Sequence, residues 1–422
     1  MLRFRASRRS VLVFVASLLV VTFAAQDALF AAIRGEPEPA PPTAAPTLGV
    51  PISIEDPSGH ALDALHAALA RAASHQGQAR ILWWGASHTA PDRYVGLVRR
   101  ALQEGFGDAG PGFVLPVRPF PGYDSTTARI TWHGAWRTLR GDRMREGEDY
   151  GLAGVAVESL MRGARGALDT RGARWGARNV GSYDVGFLRQ PNGGRFEVRI
   201  DDRPVAVVDT QGELGPGHAR FRVRDAAHRI EVRVLDDAPV RIFGVAMERD
   251  RSGVVVDTLG IPGSRARSHL RWRDATYRAE VRRRRPDMFV LAYGTNESED
   301  VNVPSARHES DLARVVERLQ GLAPGASCLL VGPSDRPLQA EDGTWGPRPH
   351  VSEVIDVERR VAFAHGCGFF DLRAFMGGEG AMMQWVASEP PFAQADHIHL
   401  TEDGHARLAE VMTAALLEGM PQ

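Results

Sequence analysis

The sequence predicts an α/β protein in which a parallel sheet flanked by helices is interrupted by an all-β insert, and three observations carry that prediction. Apolar runs end at or shortly before a glycine in three places: Ile81-Leu82-Trp83-Trp84 before Gly85, Val254-Val255-Val256 before Gly260, and Met288-Phe289-Val290-Leu291-Ala292 before Gly294. Runs with no polar alternation suit strands buried on both faces. Helical periodicity alternates with such runs up to about residue 116 and again from about 249, but is hard to find between them.

In chain order, the N-terminus opens with Arg3, Arg5, Arg8 and Arg9 and then runs apolar over residues 11–25. Basic residues ahead of an apolar stretch of about 15 residues read as an export signal. Ala24, with Thr22 two places earlier, fits a small-residue cleavage site, yet apolar character resumes over 28–33. Residues 1–33 are therefore a signal peptide or, left uncleaved, a signal anchor, because spanning takes about 20 largely apolar residues. The proline- and alanine-rich residues 34–54 read as an extended tether.

Residues 61–73 are helical in pattern, the strand ending at Gly85 follows, and a helix over 94–104 comes next. From 117 to 248 short alternating runs, such as 128–132, 196–200, 219–223 and 230–234, are separated by Gly, Asp, Pro and Asn, which argues for a β-sandwich. Strand and helix then alternate again: helices over 275–284, 309–322 and 351–365 precede strand-like runs at Met288, Cys328 and Phe369, and a last helix covers 402–417. A chain of 422 residues exceeds one ordinary core and suggests two domains. The division is 55–116 with 249–422 for the parallel-sheet domain and 117–248 for the insert.

Composition narrows the function classes. Lys plus Arg number 51 against 52 acidic residues, a net charge of −1 that gives no support for nucleic-acid binding. All the basic residues are arginine, a compositional bias. Cys328 and Cys367 read as buried small residues whose pairing the sequence leaves open, and two cysteines give no metal framework.

The chemistry sits at the strand ends. Ser87 follows closely after Gly85, and serine needs a base to take its proton and a third group to orient that base. Asp396-His397-Ile398-His399-Leu400-Thr401 supplies both on one short loop, His399 as base and Asp396 as orienter, with Thr401 placed to cap the last helix. If the three glycine-ended strands are neighbours, the backbone N–H of Ser87, a second N–H from Gly260 or Gly263, and the side-chain amide of Asn296 would form an oxyanion hole.

With these residues in place, the chain resembles the SGNH (GDSL-like) hydrolases, named for a serine, a glycine, an asparagine and a histidine in four separated blocks. Here the blocks are Gly85-Ala86-Ser87-His88-Thr89, Gly260-Ile261-Pro262-Gly263, Gly294-Thr295-Asn296 and Asp396-His397-Ile398-His399. Three further stretches look like the peptidoglycan O-acetylesterase branch: residues 106–114, 188–194 and 291–297. The resemblance implies a three-layer parallel-sheet hydrolase fold interrupted by a jelly-roll-like β-sandwich similar to a carbohydrate-binding module. It also selects Gly263 as the second oxyanion donor. The activity implied is that of an exported serine esterase, periplasmic or held at the cell envelope, removing O-acetyl groups from a glycan such as peptidoglycan without a cofactor. One position departs from the family pattern: aspartate usually stands before the nucleophile, and here Ala86 does.

Other readings stand beside these. The same triad could pass the acyl group to a sugar hydroxyl, or the protein could be a glycan-binding relic of a hydrolase. His397 and His399 form a His-x-His that could bind metal, though no further ligand cluster accompanies it. His88 and His405 read as structural or surface residues, and Arg282-Arg283-Arg284-Arg285 as a solvated helix end. Trp132 and Trp136, an even offset apart, would share a face in one strand and with Trp175 could make a sugar-stacking platform.

Overall fold

The computed structural model describes residues 48–143 and 148–420, so the signal or anchor over 1–33 and most of the tether over 34–54 lie outside the described residues. Along Gln78–Gly85, Leu82 and Trp84 enter one apolar cluster while Ile81 and Trp83 enter another, so both faces of the strand are covered. This is the burial that an interior parallel strand requires. The strand lies second in a five-stranded parallel sheet ordered Gly253–Gly260, Gln78–Gly85, Met288–Ala292, Ser327–Val331, Gly368–Phe370. Helices Asp63–Ala73, Tyr94–Phe106 and Glu402–Leu417 bury apolar residues in the cluster around Trp83. Helices Asp274–Arg284, Ser305–Leu322 and Pro349–Ala364 do so in the cluster around Trp84. Residues 48–55 are tied to the sheet's far edge: Val50 N–H donates to Phe375 O and Glu55 N–H to Phe369 O, each at 2.8 Å. Among the described residues no helix is long and apolar enough to cross a membrane.

Between Gly112 and Glu248 the chain forms two antiparallel sheets. One is ordered Gly215–Ala227, Asn179–Arg189, Val240–Glu248, Val155–Ser159, Arg137–Arg140; the other Arg129–His133, Arg165–Asp169, Arg229–Val234, Arg195–Ile200, Arg203–Asp209. Period-2 alternation explains their shared core. In Arg195–Ile200 the buried positions are Phe196, Val198 and Ile200, and Phe196 meets Phe187 of the first sheet edge to face at 5.4 Å. Gly112–Val114, assigned from sequence to the parallel-sheet part, instead pairs antiparallel with Val245–Met247.

Two side-chain expectations are corrected. The arginine run is a solvated helix end at Arg282, Arg283 and Arg285, but Arg284 is buried, and donates to both oxygens of Asp257 on the parallel strand at 2.6 and 2.9 Å and to Glu248. Buried Asp257 and mostly buried Glu248 require a counter-charge, and removing one partner of a buried pair costs about 3–5 kcal/mol. Trp132 and Trp136 do not share a strand, because Arg129–His133 ends before Gly134, whose φ is +86°, and Trp136 precedes Arg137–Arg140 of the other sheet.

Cys328 and Cys367 are joined by a disulfide beside neighbouring strands, across a separation of 39 residues. In the chain-entropy model a loop of this length is worth about 4 kcal/mol.

Candidate active site

Register puts the site together. Gly85 is level with Gly260 on one side and with Ala292 on the other, so the segments carrying Ser87, Gly263 and Asn296 leave the sheet at one end, side by side. Gly85 must be glycine: a Cβ there would lie 2.2 Å from Thr89 Oγ1 and 2.9 Å from Ala292 O. The turn after it is closed by Thr89 N–H and Ala90 N–H, which donate to Ala86 O at 3.2 and 3.0 Å.

Ala86 packs in the apolar cluster of Leu82, Trp84 and Ala90. The polar anchor of this segment is Asp92, a buried residue at φ +56°. It accepts hydrogen bonds from Arg99 Nη2 (2.6 Å), Thr126 N–H (2.8 Å), Thr126 Oγ1 (2.7 Å) and Thr258 Oγ1 (2.6 Å). Burial pushes the Asp92 carboxyl up, but the Arg99 charge and these hydrogen bonds outweigh it and hold it below the ordinary range.

The structure brings Ser87, His399 and Asp396 into one line. His399 Nε2 lies 2.9 Å from Ser87 Oγ, and His399 Nδ1 lies 2.6 Å from Asp396 Oδ2. Asp396 Oδ1 accepts the backbone N–H groups of Ile398 (3.0 Å) and His399 (2.9 Å), so one carboxylate shapes the loop and orients the ring. Burial raises the Asp396 pKa, and the hydrogen bonds from His399 and these amides reverse that to a net lowering, leaving it ionised at neutral pH. Thr401 Oγ1 accepts from Gly404 N–H at 3.2 Å, the cap expected of it. His397, at φ +57°, turns its ring onto Trp345 with centroids 4.1 Å apart.

On the oxyanion side, Asn296 Nδ2 donates to Ser264 O at 2.9 Å, which fixes the amide and leaves its second N–H for a substrate. Gly263 sits at φ +79°, a conformation that favours glycine. Sequence reasoning gave no role to Glu297, although it staples these two segments. One oxygen accepts Ala266 N–H at 2.8 Å and the other Gly294 N–H at 3.0 Å. Behind them His269, fully buried, hydrogen-bonds Tyr277 OH at 2.8 Å and Tyr293 OH at 2.9 Å.

His88 was also missed as a positioning residue. Its Nε2 donates to Ile398 O at 2.9 Å, tying the nucleophile turn to the loop of Asp396 and His399. Burial, then the nearby charge of His399, lowers its pKa to about 4; Asp396 pulls upward and Arg336 downward more weakly. His405, packed beside it, is lowered well below 6.5, again mainly by burial. Because these folded pKa values are depressed, the unfolded chain takes up protons first. Stability is therefore fully present above pH 6.5 and falls as the pH drops through 6.5 towards 4. Glu358, raised well above the usual carboxyl value by burial, works in the opposite sense. The difference between parent and His88→Gln melting temperatures across pH 7.5 to 4.5 isolates the His88 part, and its loss should flatten the acid limb; an unchanged slope would remove His88 from this account.

Residues 234–407 match the family model of GDSL-like lipases and acylhydrolases, a stretch that takes in Gly263, Asn296, Asp396 and His399 but not Ser87. A solved peptidoglycan O-acetylesterase aligns over 86% of this chain and 98% of its own, at 24% identity and a TM-score of 0.71, which shows a common fold. An acetyl xylan esterase aligns over 38% of this chain and 81% of its own, at 19% identity and a TM-score of 0.30. A family two carbohydrate esterase from Cellvibrio japonicus covers 69% and 99%, at 12% identity and a TM-score of 0.28. No curated protein sequence matches the chain.

Proposed function

We propose, from the match of residues 234–407 to the GDSL-like lipase/acylhydrolase family model, that the chain is an exported serine O-acetylesterase acting on a cell-envelope glycan, with peptidoglycan as the leading substrate. The observation that carries the reading is the unbroken contact from Ser87 through His399 to Asp396, at 2.9 and 2.6 Å.

In the proposed reaction Ser87 Oγ attacks the ester carbonyl as its proton passes to His399 Nε2, and Asp396 stabilises the imidazolium. The oxyanion is met by the N–H groups of Ser87 and Gly263 and by the Asn296 amide. The intermediate expels the sugar oxygen, which takes the proton from His399 and leaves an acyl ester on Ser87. Water then attacks that ester, giving one proton to His399, and collapse releases acetate and returns the proton to Ser87. The side chains of His399 and Asp396 are 37% and 44% exposed, so water reaches the base, which favours hydrolysis over transfer to a sugar hydroxyl. The intact triad geometry speaks against a purely glycan-binding relic. The disulfide is in keeping with an oxidising compartment outside the cytoplasm, where the basic-then-apolar N-terminus would deliver or anchor the enzyme.

The test is acetate release from O-acetylated peptidoglycan beside O-acetylated xylan. We expect kcat/KM on peptidoglycan to be higher by roughly tenfold or more, the scale that one well-placed polar contact supplies. Faster release from xylan would reassign the substrate, and release from neither, nor from a small acetyl ester, would remove the esterase reading.

A further inference from the structure

Beside the oxyanion turn lies a cleft of about 530 Å³, within the range of small-ligand pockets. Its wall is the edge strand Arg137–Arg140, and it reaches the site directly: Arg140 Nη2 donates at 2.6 Å to the carbonyl of Pro262, the residue before Gly263. Phe120, Leu139 and Tyr150 give it an apolar lining, with the Arg140 guanidinium 5.2 Å over the Phe120 ring. A sugar ring, apolar on its C–H faces and polar at its rim, suits such a lining.

The charges around the cleft do not cancel. Arg140 is paired with Asp142 at 2.8 Å, while Arg137 and Arg241 share buried Glu158, and Arg241 also holds Glu148 at 3.0 Å. Those three carboxylates are therefore taken. Arg143, exposed at the rim, has no carboxylate partner among the described residues. A planar fork of donors free at the edge of an apolar cleft matches a carboxylate.

Building on the esterase reading above, we propose that this cleft binds the glycan and that Arg143 receives a carboxylate carried by it, making the enzyme selective for acidic over neutral O-acetylated glycans. On peptidoglycan that carboxylate belongs either to a stem peptide or to the lactyl group of a muramic residue that carries no peptide, where it is not tied up as an amide.

The experiment compares O-acetylated peptidoglycan in its native form with the same polymer after chemical amidation of its carboxyl groups, using parent and Arg143→Gln. The parent should prefer the native polymer in kcat/KM by about tenfold or more, the scale of a charge-assisted hydrogen bond. In the variant the preference should fall towards one, through KM. A parent without preference, or a variant that keeps it, overturns the proposal. Stripping the stem peptides with an amidase frees the lactyl carboxylates and so assigns the group: a parental kcat/KM that holds or rises on the stripped polymer places the contact on the lactyl group, and one that falls places it on the peptide. If neither polymer nor a small acetyl ester is cleaved, the esterase reading fails by itself, and calorimetry with an N-acetylglucosamine–N-acetylmuramic acid disaccharide, both with and without its stem peptide, still tests the cleft. Binding weakened about tenfold by Arg143→Gln upholds the subsite; equal binding, or none, ends it.

Discussion

Ser87→Ala is expected to lower kcat for ester cleavage by roughly 10⁴-fold or more, because the methyl group can neither form the acyl bond nor deliver a proton to His399. The oxyanion donors remain, so a small residual acceleration over water should persist. Ser87 is partly exposed, and its side-chain hydrogen bond is the one to His399 Nε2. The melting temperature should accordingly stay within a few degrees of the parent, since a surface substitution costs about 0.5 kcal/mol or less. Steady-state acetate release measured beside a thermal melt separates the two effects. Near-parental turnover in the variant would mean that another group performs the attack.

Asp396→Asn should cost nearly as much, roughly 10⁴-fold in kcat, for a different reason. The native carboxylate accepts the proton of His399 Nδ1 at 2.6 Å and so leaves Nε2 free to receive the Ser87 proton. An amide that keeps the two backbone contacts to Ile398 and His399 on its oxygen would present its NH₂ to Nδ1. The proton would then sit on Nε2, and the base would be blocked with its loop still in place. Asp396→Ala should add disorder of that loop, raising KM as well. A loss smaller than about tenfold in Asp396→Asn would show that the tautomer is set by something other than this carboxylate.

The residues found by sequence and those missed differ in where their partners lie. Ser87, Gly263 and Asn296 stand just beyond buried apolar runs, and Asp396 and His399 share one short loop, so each carries a local signal. The parallel strands were legible for the same reason, as was the change to alternating runs after about residue 116, although Gly112–Val114 already pairs antiparallel. Asp92, His88 and Glu297 carry none. Asp92 is made important by Thr126 and Thr258, His88 by the carbonyl of Ile398, and Glu297 by the amide of Ala266, all remote in the chain. Arg284 was misread because a helix-ending arginine looks solvated until Asp257 and Glu248 are folded against it. The cleft beside Pro262 combines two distant segments and had no sequence signature at all.

The nucleophile and its base are separated by 312 positions. On the proposed mechanism Ser87 gains its base only after residue 399 has been synthesised and folded back beside it, and on the proposed export route a chain still being threaded outward would carry Ser87 with no base beside it. Until the loop of Asp396 and His399 docks, such a chain would be harmless to the cell's own esters. On that proposal activity would report that synthesis, export and folding have finished, and a fragment cut before residue 396 should be silent.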